Sequence, residues 1–70
     1  MKIGGLIRKK RRNIDMSQDV LAKLLGTTKG NIWNWEKNRY QPNSERLVRM
    51  MQILDISIEE LLDSIEHPKD

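Results

Sequence analysis

The side chains best suited to chemistry are concentrated between residues 28 and 39. This stretch carries a hydroxyl group, two ammonium groups, a guanidinium group, three amides and two indoles. Such groups bind phosphates and the edges of bases through hydrogen bonds. No nucleophilic side chain stands beside a base in a pattern typical of catalysis. We therefore predict that the chain recognises a ligand, is not an enzyme and uses no cofactor.

Helical spacing indicates which of these side chains face outward. Thr28 is a typical helix N-cap, and Ile32 and Trp35 share one face of the helix that follows. Burial of that face turns Lys29 towards a position where it can donate to guanine O6 or N7, and turns Asn34 towards a base edge or a phosphate. A glycine in the same turn permits close approach to DNA. The candidate contacts to base edges are Thr28, Lys29, Gly30, Trp33 and Asn34.

Apolar residues recur at helical spacing along nearly the whole chain, which predicts five short helices and no strand. The predicted starts of the second to fifth helices are Ser17, Thr28, Asn43 or Ser44, and Ser57, the last in a capping box with Glu60. The predicted ends are about Asn13, Gly26, about Asn38 and Pro68. The residues expected to face inward in the first, second and fourth helices are Ile3, Leu6, Ile7, Ile14, Leu21, Leu24, Leu25, Leu47, Met50, Met51 and Leu54.

The second and third predicted helices have the features of a helix-turn-helix unit. Ala22 provides a small residue where the two helices cross, and Gly26 supplies the positive φ of a tight helix exit. The apolar residues that hold the pair together from inside are Leu21, Leu25, Ile32 and Trp35. This combination is more specific than a helix pair with a glycine alone.

At these residues the chain resembles the lambda-repressor-like family of Cro-type, or XRE-family, regulators. The resemblance covers about residues 3–62. It rests on Ser17-Gln18, Leu21-Ala22, Leu25-Gly26, Ile32, Trp35-Glu36, Pro42, Leu54, Ser57 and Leu61. It implies an all-α, five-helix DNA-binding domain whose third helix enters the major groove of double-stranded DNA, usually as a repressor dimer on a palindromic operator. We expect residues 1–70 to form one such domain.

The resemblance also implies roles outside the third helix. Gln18 would bond a phosphate and brace the recognition helix, and a second phosphate clamp would be formed by Lys37, Asn38 and Arg39. Arg11 and Glu36 would form a structural bridge between the first helix and the end of the third. The alternative for this pair is two exposed charges that contribute little.

Trp33 departs from the family, which usually has a small polar residue there. We expect it to be exposed, and three interpretations stay open: contact with a thymine methyl group or sugar, contact with another protein, or local packing. The second of these suits a protein-interaction module, an antitoxin or an adaptor that uses Trp33 and the last helix. RNA binding usually requires stacking aromatics, and only Trp33 and Tyr40 are available.

The last helix has more apolar residues than it needs to pack one face against the core. We expect Leu61 to belong to the core, and a two-fold dimer interface to be formed by Ile58, Leu62 and Ile65. The acidic residues of the same helix are expected to be solvated, and His67 has no second ligand with which to bind a metal.

Charge and composition fit a polyanion-binding protein. Residues 1–41 carry 10 Lys/Arg against 3 Asp/Glu, whereas residues 42–70 carry 3 against 7. A solvated basic helix would give the same charge pattern, so charge alone does not decide the function. The sequence has no cysteine, no apolar run long enough to span a bilayer and no signal peptide, and we expect a cytoplasmic protein.

Overall fold

A computed structural model describes residues 2–67, and this part of the chain contains five α-helices and no strand. The helices are α1 (Gly4–Asn13), α2 (Gln18–Leu25), α3 (Lys29–Glu36), α4 (Ser44–Leu54) and α5 (Ile58–Glu66). The number and order of helices agree with the prediction, while the predicted stop at Pro68 lies outside the described residues. Between residues 2 and 67, no helix is long and apolar enough to cross a membrane.

Side-chain caps start four of the helices. Ser17, Thr28, Asn43 and Ser57 each accept a hydrogen bond from the backbone N–H three residues further along. The predicted capping box of α5 is present, because Glu60 also accepts from the N–H of Ser57. α1 has no such local cap.

A left-handed residue ends each of the first four helices. The residues with positive φ are Asp15, Gly26, Asn38 and Asp55. In each case the next N–H donates to a carbonyl five residues back, the longer hydrogen bond of a Schellman motif. The chain therefore turns sharply after every one of these helices, which brings eight- to eleven-residue helices into one compact bundle.

The core lies where α1, α2, α3 and α4 meet. Its apolar members are Ile3, Ile7, Leu21, Ala22, Leu25, Ile32, Trp35, Met50, Leu54 and Ile56. All the residues predicted to hold α2 and α3 together are among them. Leu6, Leu47, Met51 and Leu61 are half-buried against the same cluster.

Two of the predicted inward residues are exposed. Ile14 follows the last residue of α1, at the sharp turn, where helical spacing no longer describes the direction of a side chain. Leu24 lies about 100° around α2 from Leu25, outside the stripe that Leu21, Ala22 and Leu25 bury. Conversely, Ile56 is buried although it belongs to no helix, since the turn at Asp55 directs it back onto the core.

α5 is attached to α1 by polar contacts as well as by Leu61. The Lys10 ammonium lies 2.7 Å from a Glu60 carboxylate oxygen and also donates to the carbonyl of Asp55. The hydrogen bond from Lys10 is the main cause that lowers the pKa of Glu60, and the Ser57 N–H of the capping box adds to it. This surface ion pair joins the start of α5 to α1.

Candidate nucleic-acid interface

The outer surface of α3 presents the side chains that spacing predicts. Ile32 and Trp35 are buried, while Thr28, Lys29 and Gly30 are exposed at the start of the helix. Asn34 is half-buried one turn further along. The beginning of α3 therefore has both the free surface and the hydrogen-bonding groups needed to approach a base edge.

An amide and phenol network covers one side of this surface. Asn31 donates through Nδ2 to the hydroxyl of Thr27 at 2.7 Å, and its oxygen accepts from the Tyr40 hydroxyl. Asn34 donates through Nδ2 to the Tyr40 oxygen at 3.1 Å and to the Gly30 carbonyl at 2.8 Å. Sequence reasoning assigned no role to Asn31 and considered Tyr40 only as a stacking residue. The turn after α3 places Tyr40 here, and spacing within a helix cannot reveal that.

Trp33 is 42% exposed and carries two cations on its ring. The Lys37 ammonium and the Arg39 guanidinium each lie 5.7 Å from the ring centroid. A cation over an indole face is attracted by the ring's quadrupole. Trp33 therefore does pack locally, and in doing so it gathers two of the predicted phosphate-binding residues into one patch.

The backbone at the end of α3 positions this patch. Asn38 is left-handed, and the Arg39 N–H donates to the Asn34 carbonyl at 3.0 Å in a Schellman motif. The Asn38 side-chain oxygen accepts from the Gly4 N–H at 2.9 Å and so caps α1 from a distance of 34 residues. The Asn38 Nδ2 group is the donor that a phosphate oxygen would require, and the bond to Gly4 through the side-chain oxygen leaves this group available.

Gly4 lies directly against the end of α3. A β-carbon at this position would come within 2.3 Å of the Glu36 carbonyl oxygen and 2.6 Å of the Trp35 carbonyl oxygen. Only glycine permits this approach of two backbones. The first turn of α1 thus packs directly against the last turn of α3 and fixes its position.

The bridge between Arg11 and Glu36 is present and buried. Arg11 donates through Nε and Nη2 to the two carboxylate oxygens at 2.7 and 3.0 Å, the bidentate geometry that suits a guanidinium. The residues are 8% and 7% exposed, so the alternative of two solvated charges does not apply. The hydrogen bond to Glu36 is the main cause that raises the pKa of Arg11.

Gln18 joins the same pair from α2. Its Nε2 donates to Glu36 at 3.1 Å, which is the bracing contact that the resemblance implies. Arg11 also donates to the carbonyl of Met16, just before α2. α1, α2 and α3 are therefore linked through one carboxylate.

A shallow basic cleft adjoins this junction. Its volume is about 180 Å³, and its cationic lining consists of Arg8, Arg11, Arg12 and Lys37. Arg8 and Arg12 are exposed on successive turns of α1, facing the same cleft as Gln18 and Trp33. Arg8 received no role from the sequence, because a lysine- and arginine-rich helix offers no spacing signal that separates cleft from solvent.

α5 leaves a separate apolar stripe uncovered. Ile58, Leu62 and Ile65 are exposed, whereas Leu61 packs against the core. The three exposed residues follow i, i+4, i+7 spacing, so they form one continuous face. In residues 2–67, no group of His, Cys, Asp or Glu side chains is placed to hold a metal ion.

These features define a class of protein. α2 and α3 pack against each other across the Gly26 turn, with Ala22 buried in the core, and α1 and α4 pack against this pair, which is the arrangement of a helix-turn-helix domain. A model of the Helix-turn-helix family matches residues 7–61. The chain belongs to this family, with the lambda-repressor-like fold of its XRE-type members.

Two comparisons with individual proteins agree with this assignment. The chain is 32% identical over 60 residues to Repressor protein C2 of Salmonella phage P22, an alignment that covers 86% of this chain. It spans only 28% of the length of that relative. It also superimposes on a crystal structure of the P22 c2 repressor in complex with synthetic operator 9T in the presence of Tl⁺, with a TM-score of 0.77 and 28% identity. That superposition covers 93% of this chain and 92% of the other. The predicted all-α, lambda-repressor-like fold is thereby confirmed.

Proposed function

We propose that this chain is a sequence-specific regulator of transcription that binds double-stranded DNA through the major groove. The observation that carries the proposal is the outer surface of α3, where exposed hydrogen-bonding side chains stand beside a cluster of cations. A polyanion with readable base edges is the ligand that matches both parts of this surface. The similarity to a repressor whose solved structure contains an operator supports the same function.

In this proposal, base edges and phosphates are contacted by different groups. The residues proposed to read base edges are Thr28, Lys29, Trp33 and Asn34, while Gly30, which has no side chain, allows the start of α3 to approach the bases closely. The phosphate contacts are Gln18, Lys37, Asn38 and Arg39, to which the cleft adds Arg8 and Arg12. Arg11 and Glu36 hold α3 in place and contact no DNA. A regulator of this kind works where the chromosome is, so the cytoplasm or nucleoid is its expected location.

Base readout by Lys29 and phosphate binding by Arg39 have different expected consequences. Lys29→Ala is expected to weaken binding of the preferred duplex by about 1–3 kcal/mol and to relax the preference at one base pair. Arg39→Ala, the matched control, should weaken all duplexes alike and reduce the slope of log K against log salt by about one. Fluorescence anisotropy with the selected duplex and a scrambled one, over a range of salt concentrations, separates the two effects. An unchanged base preference in Lys29→Ala would refute its assignment as a reading residue.

The proposal includes repression from a palindromic operator by a homodimer. Two-fold symmetric domains of this kind bind half-sites about 34 Å apart. The stripe of Ile58, Leu62 and Ile65 is the surface proposed for the dimer, since it is apolar, continuous and uncovered in one copy.

We expect the protein to sediment as a dimer at tens of micromolar or when bound to its palindrome. Leu62→Glu should shift it to the monomer and lower operator affinity at least tenfold, because a buried carboxylate in an apolar seam is strongly unfavourable. Ile14→Glu, an exposed apolar residue on the α1 turn, is the control. A wild-type chain that stays monomeric with and without DNA contradicts the dimer but leaves DNA binding intact.

The alternative of a protein-interaction module has less support. Its proposed anchor, Trp33, is flanked on the ring by Lys37 and Arg39, a surrounding that suits phosphates better than an apolar partner. A mobility shift on random duplex at low salt distinguishes the two functions, because only the DNA-binding protein retards it.

A further inference from the structure

Both hydrogens of the Asn34 amide group are used inside the molecule. The amide nitrogen carries two N–H groups. One donates to the carbonyl of Gly30 at 2.8 Å, and the other to the hydroxyl oxygen of Tyr40 at 3.1 Å. The group that Asn34 can offer to a ligand is therefore its side-chain oxygen.

The backbone fixes the orientation of this amide. A carbonyl oxygen has no hydrogen to give, so the Gly30 carbonyl requires the nitrogen of Asn34, and not its oxygen, at 2.8 Å. A rotation of the amide by half a turn would place two oxygens against each other. The contact also directs Asn34 back towards the first turn of α3, where Lys29 and Gly30 are exposed.

Tyr40 supports the same orientation from the other side. Its hydroxyl donates its one hydrogen to the Asn31 oxygen, so towards Asn34 it can only accept. Asn31 is itself held by its bond to the Thr27 hydroxyl at 2.7 Å. Tyr40 is thus a positioning residue, which acts on DNA recognition through Asn34.

We propose that Asn34 reads DNA only as a hydrogen-bond acceptor. Its oxygen would accept from the exocyclic amino group of adenine or cytosine in the major groove. A free asparagine commonly forms two bonds to adenine, one of which donates to N7. Asn34 cannot make that second bond while both N–H groups serve Gly30 and Tyr40. This inference rests on the proposed function and specifies how one residue of the site reads a base.

The experiment begins with the base pair that depends on Asn34. Selection from a random duplex pool with wild-type protein and with Asn34→Ala identifies the position at which the variant loses its preference. Affinities are then measured for duplexes altered by single atoms at that position. One lacks the exocyclic amino group (purine for adenine, or pyrimidin-2-one for cytosine), and one lacks N7 (a 7-deazapurine in the purine of the pair).

Removal of the amino group is expected to weaken wild-type binding about fivefold or more, and to affect Asn34→Ala by less than twofold. Removal of N7 is expected to change the ratio of the wild-type affinity to the Asn34→Ala affinity by less than twofold. In Tyr40→Phe, which frees one N–H of Asn34, the penalty for losing N7 should rise, provided that the selected base is adenine. If cytosine is selected, Tyr40→Phe should instead relax the selection towards adenine. Thermal unfolding and circular dichroism establish that each variant is folded.

The possible failures are distinct. If loss of N7 weakens the wild-type complex as much as loss of the amino group, and Asn34→Ala removes both penalties, Asn34 makes two bonds and the inference is wrong. If Asn34→Ala loses no base preference while the protein still selects a sequence, the inference is also wrong, but the proposed function stands. If wild type selects no duplex sequence at all, the proposed function fails and the inference fails with it.

Discussion

Gly4→Ala is expected to destabilise the domain by about 3 kcal/mol, which is a large part of the stability of so small a protein. The added β-carbon would lie 2.3 Å from the Glu36 carbonyl oxygen and 2.6 Å from that of Trp35. Both are backbone atoms of the last turn of α3, so no side chain can rotate to relieve the overlap. α1 would have to withdraw, and the bond from the Gly4 N–H to Asn38 would be lost. Urea unfolding followed by circular dichroism measures the change.

Gly30→Ala is the matched control for this substitution. Gly30 is also helical and near the start of its helix, but its nearest neighbour beyond the helix backbone would be the Thr28 hydroxyl at 3.8 Å, an ordinary contact. Alanine there is expected to stabilise the domain by about 0.5–1 kcal/mol, because glycine loses more backbone entropy on folding. Opposite signs for the two variants test the close approach specifically. If Gly4→Ala is as stable as wild type, the close approach of α1 to α3 described above is refuted.

Glu36→Ala is expected to lower the free energy of unfolding by about 3 kcal/mol. It leaves the Arg11 guanidinium buried without its carboxylate, and it removes the acceptor that Gln18 uses. Operator affinity should fall as well, because α3 loses its hydrogen bonds to Arg11 of α1 and Gln18 of α2. The two readouts are chemical unfolding and anisotropy at a temperature where the variant is still folded.

The surface ion pair between Lys10 and Glu60 provides the comparison. It too joins α1 to another helix, but its side chains are 21% and 40% exposed, against 10% and 3% for Arg11 and Glu36. Exposed pairs contribute little, so Lys10→Ala should have a much smaller effect. The double variant Arg11→Met/Glu36→Leu should recover most of the stability lost in Glu36→Ala, since no buried charge remains unpaired. Equal losses of unfolding free energy in Glu36→Ala and Lys10→Ala would show that the contribution of the bridge does not depend on its burial.

Local signals made much of this fold predictable. Ser17, Thr28 and Ser57 have the residue types that start helices, and Gly26 has the type that ends one. The conformation of Asn38 is harder to predict, because asparagine is common in turns and at helix starts as well as in the left-handed position after a helix. Its actual role, as the cap of α1, depends on a contact across 34 residues.

The parts of the site that escaped prediction depend on distance in the sequence. Nothing near Gly4 indicates that it meets the backbone of Glu36, and a glycine at a helix start has several common explanations. Tyr40 reaches Asn31 and Asn34 only because the chain reverses at Asn38. The outward direction of Lys29, in contrast, follows from the burial of Ile32 and Trp35 within one helix, which periodicity alone can reveal.

The last turn of α3 receives Gly4 and Arg11 from α1 and Gln18 from α2. A helix of eight residues is mostly coil in isolation, so α3 persists only while those neighbours are in place. Loss of α1 or α2 therefore removes the reading surface as well. Saturation with operator should consequently slow hydrogen exchange of the core amides of α1 and α2 as well as those of α3, because any opening that unfolds α1 or α2 also destroys the bound surface.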